Sequence, residues 1–278
     1  DGYVPVGRVA SAESIPAYLN LNRLVGRHSD VVGSTGAGKS TAIATLLSAV
    51  SDSGRLPGAR IVLLDLHGEY AKALGEHASV FRLNPRKDTD EKKLCIPYWA
   101  LAFDELVTIC LGAMEDKQRS VVADLVVTLK KEAITAAIDA KKPLGILSEE
   151  LTVDTPVPFC LKELWLRQHY REYRMITKKQ VGSEEDVVDA LVLGADGKPV
   201  QSGDAENLIP PKFRTYKTTG PRDQQVSSAN EGSNLRQQLA LLHSRLRDPQ
   251  LSFLFSPGDW KQNTKGIIKQ DLDKLVAS

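Results

Sequence analysis

Gly33-Ser34-Thr35-Gly36-Ala37-Gly38-Lys39-Ser40 follows the apolar pair Val31-Val32 and opens a segment in which Ile43, Leu46, Leu47 and Val50 recur at i, i+3, i+4 and i+7. The spacing predicts a short strand, a glycine loop and then a helix with one buried face. The loop fits G-x-x-x-x-G-K-[ST] without a mismatch and sits in the context that motif requires. Glycines let the backbone wrap closely around a polyphosphate with its N–H groups turned inward. The helix N-terminus adds roughly half a positive charge. In this pattern Lys39 reaches the β- and γ-phosphates, the Ser40 hydroxyl ligates Mg²⁺, and Thr41 hydrogen-bonds near the α-phosphate. The expected ligand is a nucleoside triphosphate with its magnesium.

Outward from the loop, Ile61-Val62-Leu63-Leu64 is a continuous apolar run, the mark of a strand covered on both faces of a parallel sheet. Val80-Phe81-Arg82-Leu83 is a third strand candidate, so residues 27–100 read as the first part of an α/β core. Residues 1–26 carry short apolar pieces, Tyr3-Val4-Pro5-Val6 and Ile15-Pro16-Ala17-Tyr18-Leu19, punctuated by Gly and Pro. They predict strand fragments or an extended arm. Residues 101–170 form a helical block: Phe103, Leu106, Val107, Cys110 and Met114 keep helical spacing, and so do Val122, Leu125, Val126 and Leu129. Residues 171–234 are a polar insertion in which Ala190–Gly194 and Lys198–Val200 flank a Gly-Ala-Asp-Gly turn, as in a small hairpin. Residues 235–278 return to apolar periodicity, with a helix over Leu235–Arg247 and a short strand or buried turn over Leu251–Phe255.

The 278 residues are 42% hydrophobic and 26% charged, enough to bury a core. Lys and Arg total 36 against 35 Asp and Glu, so the chain lacks the strongly basic profile of a nucleic-acid coat protein, though a local basic channel remains open to it. No apolar run approaches the roughly 18–20 residues that cross a bilayer, and a soluble protein is expected. Cys95, Cys110 and Cys160 are odd in number and widely spaced, which argues against a disulfide framework or a zinc site and for small buried side chains in a reducing, cytoplasmic compartment. The five histidines have no HxxxH or HExxH spacing. With Asp1 first, the N-terminus reads as a trimmed boundary.

The choice among triphosphate enzymes is narrower. Asp65-Leu66-His67-Gly68 matches the D-x-x-G of GTPases, but no N-[KQ]-x-D guanine-reading motif occurs, nor does an LSGGQ. A GTPase or small-molecule kinase stays as a minor alternative. Asp65, His67 and Glu69 fall at the C-terminal end of a predicted strand, where α/β ligands bind. Nucleotide contact, a subunit interface or support of the turn are all open to them. Arg27 and His28 read as loop residues that could also approach a base. The basic pairs Lys92-Lys93, Lys130-Lys131, Lys141-Lys142 and Lys178-Lys179 read as solvated faces that could add phosphate contacts in an assembly. Trp99, Trp165 and Trp260 are expected in cores, while Trp165, Tyr170 and Tyr173 beside Arg167 and Arg171 could form a partner surface on the insertion.

Val31–Thr41 followed by Leu63-Leu64-Asp65-Leu66-His67-Gly68-Glu69-Tyr70 strongly resembles the HerA branch of the HerA–FtsK ATPases, in which a TGxGKS loop precedes a strand ending in D-x-HGEY. Arg27-His28, Ile96-Pro97-Tyr98-Trp99, Phe103–Leu106 and Leu246-Arg247-Asp248-Pro249 before Phe253-Leu254-Phe255 are similar to further family landmarks. Together they cover most of 23–105 and 235–258 but not the polar insertion. The resemblance implies an α/β, RecA-like P-loop NTPase core with a helical insertion, and the end of an N-terminal β-barrel in residues 1–26. It also implies ATP and Mg²⁺ as cofactors, with Gly33 to Thr41 as the binding loop. A homo-hexameric ring, translocation of double-stranded DNA and an effector such as a NurA-type nuclease complete the family picture, in DNA end processing or antiphage defence. The family's Walker B strand and arginine finger come later than Asp271–Leu275, and Leu144–Glu150 is the nearest imitation; it reads as an inter-helix turn. A truncated chain that binds ATP but hydrolyses it poorly is therefore expected. An ATP-binding ring platform with little turnover is the alternative.

Overall fold

The computed structural model describes residues 2–52, 60–139, 149–181 and 184–256. They divide into two units, Asp1–Leu94 and Cys95–Ser278.

In the first unit, β1 (Tyr3–Val9) and β2 (Ala12–Asn20) form an antiparallel hairpin with Val4 opposite Leu19. The expected strand fragments at the N-terminus are thus a paired ribbon. Helix α1 (Leu21–Val25) starts where the Asn20 side chain accepts from the Arg23 N–H at 3.1 Å, a polar N-cap that closes the ribbon. Helix α2 (Lys39–Asp52) begins at the lysine of the glycine loop and packs against β1. Its Val50 packs in a buried cluster with Val4 of β1 and Leu21 of α1, with Leu46 and Ala49 of the helix beside them. Each such aliphatic side chain contributes roughly 1.5–3 kcal/mol when fully buried, so this small cluster fixes the helix on the hairpin. Helix α3 (Ala71–Leu74) follows, and β3 (Phe81–Arg82) runs parallel to β4 (Lys92–Lys93). The pair is clipped by an Arg82–Glu91 ion pair at 3.2 Å.

Two predicted strands are absent as strands. Val31-Val32 and Ile61–Leu64 have no ladder partner among the described residues, and the parallel pairing described is that of β3 with β4. The reason is physical: an apolar run becomes a central parallel strand only when neighbours take up its N–H and C=O groups on both edges. Here Val32 is 89% exposed and Val62 88%, so the runs lie open.

The second unit begins with α4 (Phe103–Cys110), whose Asp104 and Glu105 sit in its first turn, and α5 (Asp116–Asp139). Helix α6 (Leu161–Tyr173) leads into a three-stranded antiparallel sheet, with β5 (Met175–Val181) between β6 (Glu184–Asp189) and β7 (Ser227–Ser228). Helix α7 (Arg236–Leu246) and the single turn α8 (Ser252–Phe255) end the described chain. Leu251–Phe255 is therefore a helical turn rather than a strand. Trp99, Val107, Val126, Phe159, Trp165 and Leu242 lie at the centre of one core shared by α4 to α7. The Tyr98 hydroxyl donates to the Phe159 carbonyl, and Ile96 N–H donates to Phe253 O at 2.8 Å, tying the first residues of the unit to α8. The Gly-Ala-Asp-Gly hairpin is present: Gly194 N–H donates to Lys198 O at 2.8 Å, and Val200 N–H to Val192 O at 2.9 Å. Among the described residues, no helix is long and apolar enough to cross a membrane.

One side chain departs from its sequence reading, and others match it. Lys130 is not on a solvated face: it is 2% exposed, and its ammonium donates to the carbonyls of Val153 and Thr155 at 2.6 Å each. A buried cation needs such acceptors, and burial still pulls its pKa down to about 8. Trp99 and Trp165 are core residues, and Cys110 is buried with its thiol pushed up to about 12 by desolvation, so it is an apolar filler. Tyr170 and Arg174 converge on the Asp189 carboxylate and Arg167 pairs with Glu132, so these three side chains have partners in their own unit, while Arg171 and Tyr173 are exposed. Leu144–Ser148, Lys141-Lys142, Trp260 and Asp271–Leu275 lie outside the described residues.

Helix α6 carries a stack with consequences for pH. His169 lies between Trp165, at 5.1 Å between ring centres, and Tyr173, at 4.4 Å. Burial, and then the nearby His243, push the His169 pKa down to about 4. A folded-state value below the unfolded one makes stability fall as pH drops from about 6.5 towards 4, because only the unfolded chain takes up the proton there. Denaturant midpoints at pH 7 and pH 5 should drop further for the wild type than for His169→Phe. Equal drops would remove His169 from the acid response.

Candidate functional site

The loop between Val32 and α2 owes its shape to two glycines in the left-handed region, Gly36 at φ +82° and Gly38 at φ +84°. A Cβ at either would meet nothing within 4 Å, so backbone conformation, not crowding, demands glycine there. Ala37 N–H closes a turn on Ser34 O at 3.2 Å, and Ala42 N–H donates to Gly38 O at 2.9 Å as α2 begins. The open space beside Gly36 and Gly38 leaves room for phosphate oxygens near the loop backbone.

Lys39 is folded back over its own loop. Its ammonium donates to Gly33 O at 2.9 Å and Ser34 O at 2.8 Å. The cation therefore stands at the rim, satisfied by two carbonyls that an incoming phosphate can replace. The Ser40 hydroxyl donates to Glu69 Oε2 at 2.5 Å. Thr35, Gly36, Gly38, Lys39, Ser40 and Thr41 line a cleft of about 1,050 Å³, continued along α2 by Ala44, Thr45 and Ser48. His67, Glu69 and Ala73 form its other side.

The D-x-HGEY turn divides its labour. The Asp65 carboxylate accepts from Gly68 N–H at 2.8 Å, Glu69 N–H at 3.1 Å and Tyr70 N–H at 3.0 Å. These backbone bonds, that of Tyr70 first, hold its pKa below the usual carboxylate range. Gly68 takes φ +71°, and a Cβ there would come within 3.1 Å of the Arg82 guanidinium. Asp65 thus builds the turn, and the turn delivers His67 and Glu69 to the cleft. Sequence reading named these three residues without separating the supporting one from the two that reach the cleft. The signal that separates them is the acceptor geometry of an Asp three residues before a glycine. Arg27 and His28 are exposed and do not line the cleft. Ser34 and Gly33 face Lys39 through their carbonyls, and Ala37 lies in the turn.

A polyphosphate and its divalent cation fit these residues: backbone N–H groups and a helix start for anionic oxygens, one ammonium, and one hydroxyl backed by a carboxylate. A bound cation there would supply charge neutralisation between phosphate oxygens, with Ser40 as its protein ligand.

A left-handed glycine loop before a helix, a lysine at its rim and a serine next to it define a P-loop domain. The family model for the central domain of helicase HerA matches residues 4–247, and the chain belongs to that family. A probable helicase of Methanocaldococcus jannaschii is 38% identical over 87 residues, 31% of this chain and 16% of that protein. A second probable helicase of the same organism is 26% identical over 133 residues, 48% of this chain and 24% of the other. The DNA double-strand break repair helicase HerA of Pyrococcus furiosus is 34% identical over 67 residues, 24% of this chain and 12% of that protein. The matched stretches thus span less than a quarter of each relative's length.

Proposed function

We propose that this chain is the nucleotide-binding part of an ATP-driven DNA translocase. The observation that carries the reading is the loop of Gly33 to Thr41, with Lys39 and Ser40 on one cleft, in a chain of the HerA central-domain family. In this reading ATP is the nucleotide and Mg²⁺ its cation. Lys39 neutralises the β- and γ-phosphates, the backbone of Gly36 and Gly38 and the helix start hold the anionic oxygens, and Ser40 ligates the metal. In this reading Val31-Val32 and Ile61–Leu64, which form no ladder among the described residues, belong to a RecA-like parallel sheet in the working protein. The β1–β2 hairpin is the end of a β-barrel. The protein works as a homo-hexameric ring on double-stranded DNA in the cytoplasm, with an effector such as a nuclease, in DNA end processing or antiphage defence.

The test is the rate of ATP hydrolysis by the whole protein with and without linear duplex DNA. A motor hydrolyses faster on DNA, and Lys39→Ala removes the stimulated rate. Nucleotide binding with a rate indifferent to DNA would replace the motor with an ATP-dependent assembly platform.

A further inference from the structure

We infer that Glu69 is a positioning residue for the Ser40 hydroxyl, and that it sets how much a divalent cation adds to nucleotide affinity at this loop. The inference rests on the nucleotide reading above. A serine hydroxyl has one proton and two lone pairs. Here the proton is committed to the Glu69 carboxylate at 2.5 Å, across 29 residues of sequence. A bond to an ionised acceptor is among the stronger hydrogen bonds, and it leaves the oxygen lone pairs for a cation. When a cation draws on that oxygen the proton becomes more acidic and its bond to the carboxylate tightens, so the two interactions reinforce each other.

Glu69 is also held in place. The backbone of the turn is fixed by three N–H groups donating to Asp65, one of them that of Glu69 itself. Gly68 at φ +71° makes the reversal, and Glu69 then lines the same cleft as Lys39 and Ser40. The sequence D-x-HGEY therefore places a negative charge next to the P-loop serine by backbone geometry rather than by a chance surface contact.

The charge has opposite consequences for the two parts of the ligand. It attracts a divalent cation and repels phosphate oxygens. A residue that merely stabilised the turn would weaken binding in the presence and absence of metal alike. A residue that positions Ser40 for the cation changes the difference between the two conditions.

ADP titrated into the 278-residue chain in excess Mg²⁺ and in EDTA reads that difference. Glu69→Gln should lower the gain in affinity due to Mg²⁺ by about 10- to 100-fold, the usual effect of losing a group that orients a metal ligand. In EDTA the same variant should bind ADP more tightly, because one negative charge is gone. Glu69→Asp, which keeps the charge on a shorter arm, should recover part of the gain. On a Ser40→Ala background, Glu69→Gln should lower the gain by less than it does in the wild type, because only the direct attraction of the charge for the cation is then lost. An equal gain in wild type and Glu69→Gln, or a parallel fall in both conditions, overturns the role of Glu69 while leaving the nucleotide site standing. A wild-type chain that binds no ADP in either condition overturns the nucleotide reading itself.

Discussion

Lys39→Ala is expected to lose all stabilisation by Mg-ATP. The side chain does two things in this structure: it is the ammonium at the mouth of the loop, and it satisfies the carbonyls of Gly33 and Ser34. Truncation removes the charge that offsets the phosphates, and backbone N–H groups with a helix start are left to hold a polyanion alone. The wild-type chain at 100 times its dissociation constant gains about 2.7 kcal/mol, enough for a measurable shift of the thermal midpoint. The variant gains nothing at the same concentration. Because Lys39 is at the rim and its partners face water, the ligand-free midpoint should move little. Identical shifts for wild type and variant would remove Lys39, and with it the loop, from nucleotide binding.

Trp165→Ala carries the largest expected loss of stability. The indole is 3% exposed in the core shared by α4 to α7, and its N–H donates to Leu239 O at 3.2 Å, joining α6 to α7. It also flanks the rings of His169 and His243, both with centres 5.1 Å away. Large-to-small changes at such sites cost about 3–5 kcal/mol, from lost transfer energy and the cavity left behind. That is a large share of the roughly 5–15 kcal/mol by which a domain is stable. Urea unfolding followed by far-ultraviolet circular dichroism measures it. A cost under about 1 kcal/mol would mean that Trp165 does not sit at the centre of this core.

Much of this was legible from residue patterns because those patterns are local. The glycine loop, the buried stripe of α2 and the repeats of Phe103–Cys110 and Val122–Leu129 each follow from spacing within one element. Helix α6 falls largely within the helical block of residues 101–170, but its own stripe of Leu161, Leu164, Trp165 and Gln168, all buried, is blurred by charged neighbours. The three-stranded sheet was masked in the same way: β5 and β6 are rich in Lys, Glu and Asp, so their alternation is weak. Val31-Val32 and Ile61–Leu64 have strand composition but no ladder among the described residues, since pairing depends on neighbours remote in sequence. Helical spacing puts Lys130, not Lys131, in line with Val126 and Ile134, but nothing in the sequence shows that the carbonyls of Val153 and Thr155 accept its ammonium there. The roles of Asp65 and Glu69 needed the turn itself. A carboxylate that accepts three backbone N–H groups and one that accepts a remote serine are the same letter class in a motif.

Native mass spectrometry of the chain with Mg-ATP tests the central claim most directly, because it counts nucleotides per polypeptide. The expected spectrum shows one Mg-nucleotide per chain for the wild type and none for Lys39→Ala. A wild-type chain without the adduct, or a Lys39→Ala chain that carries it in equal amount, would contradict the assignment of the cleft at Gly33 to Thr41.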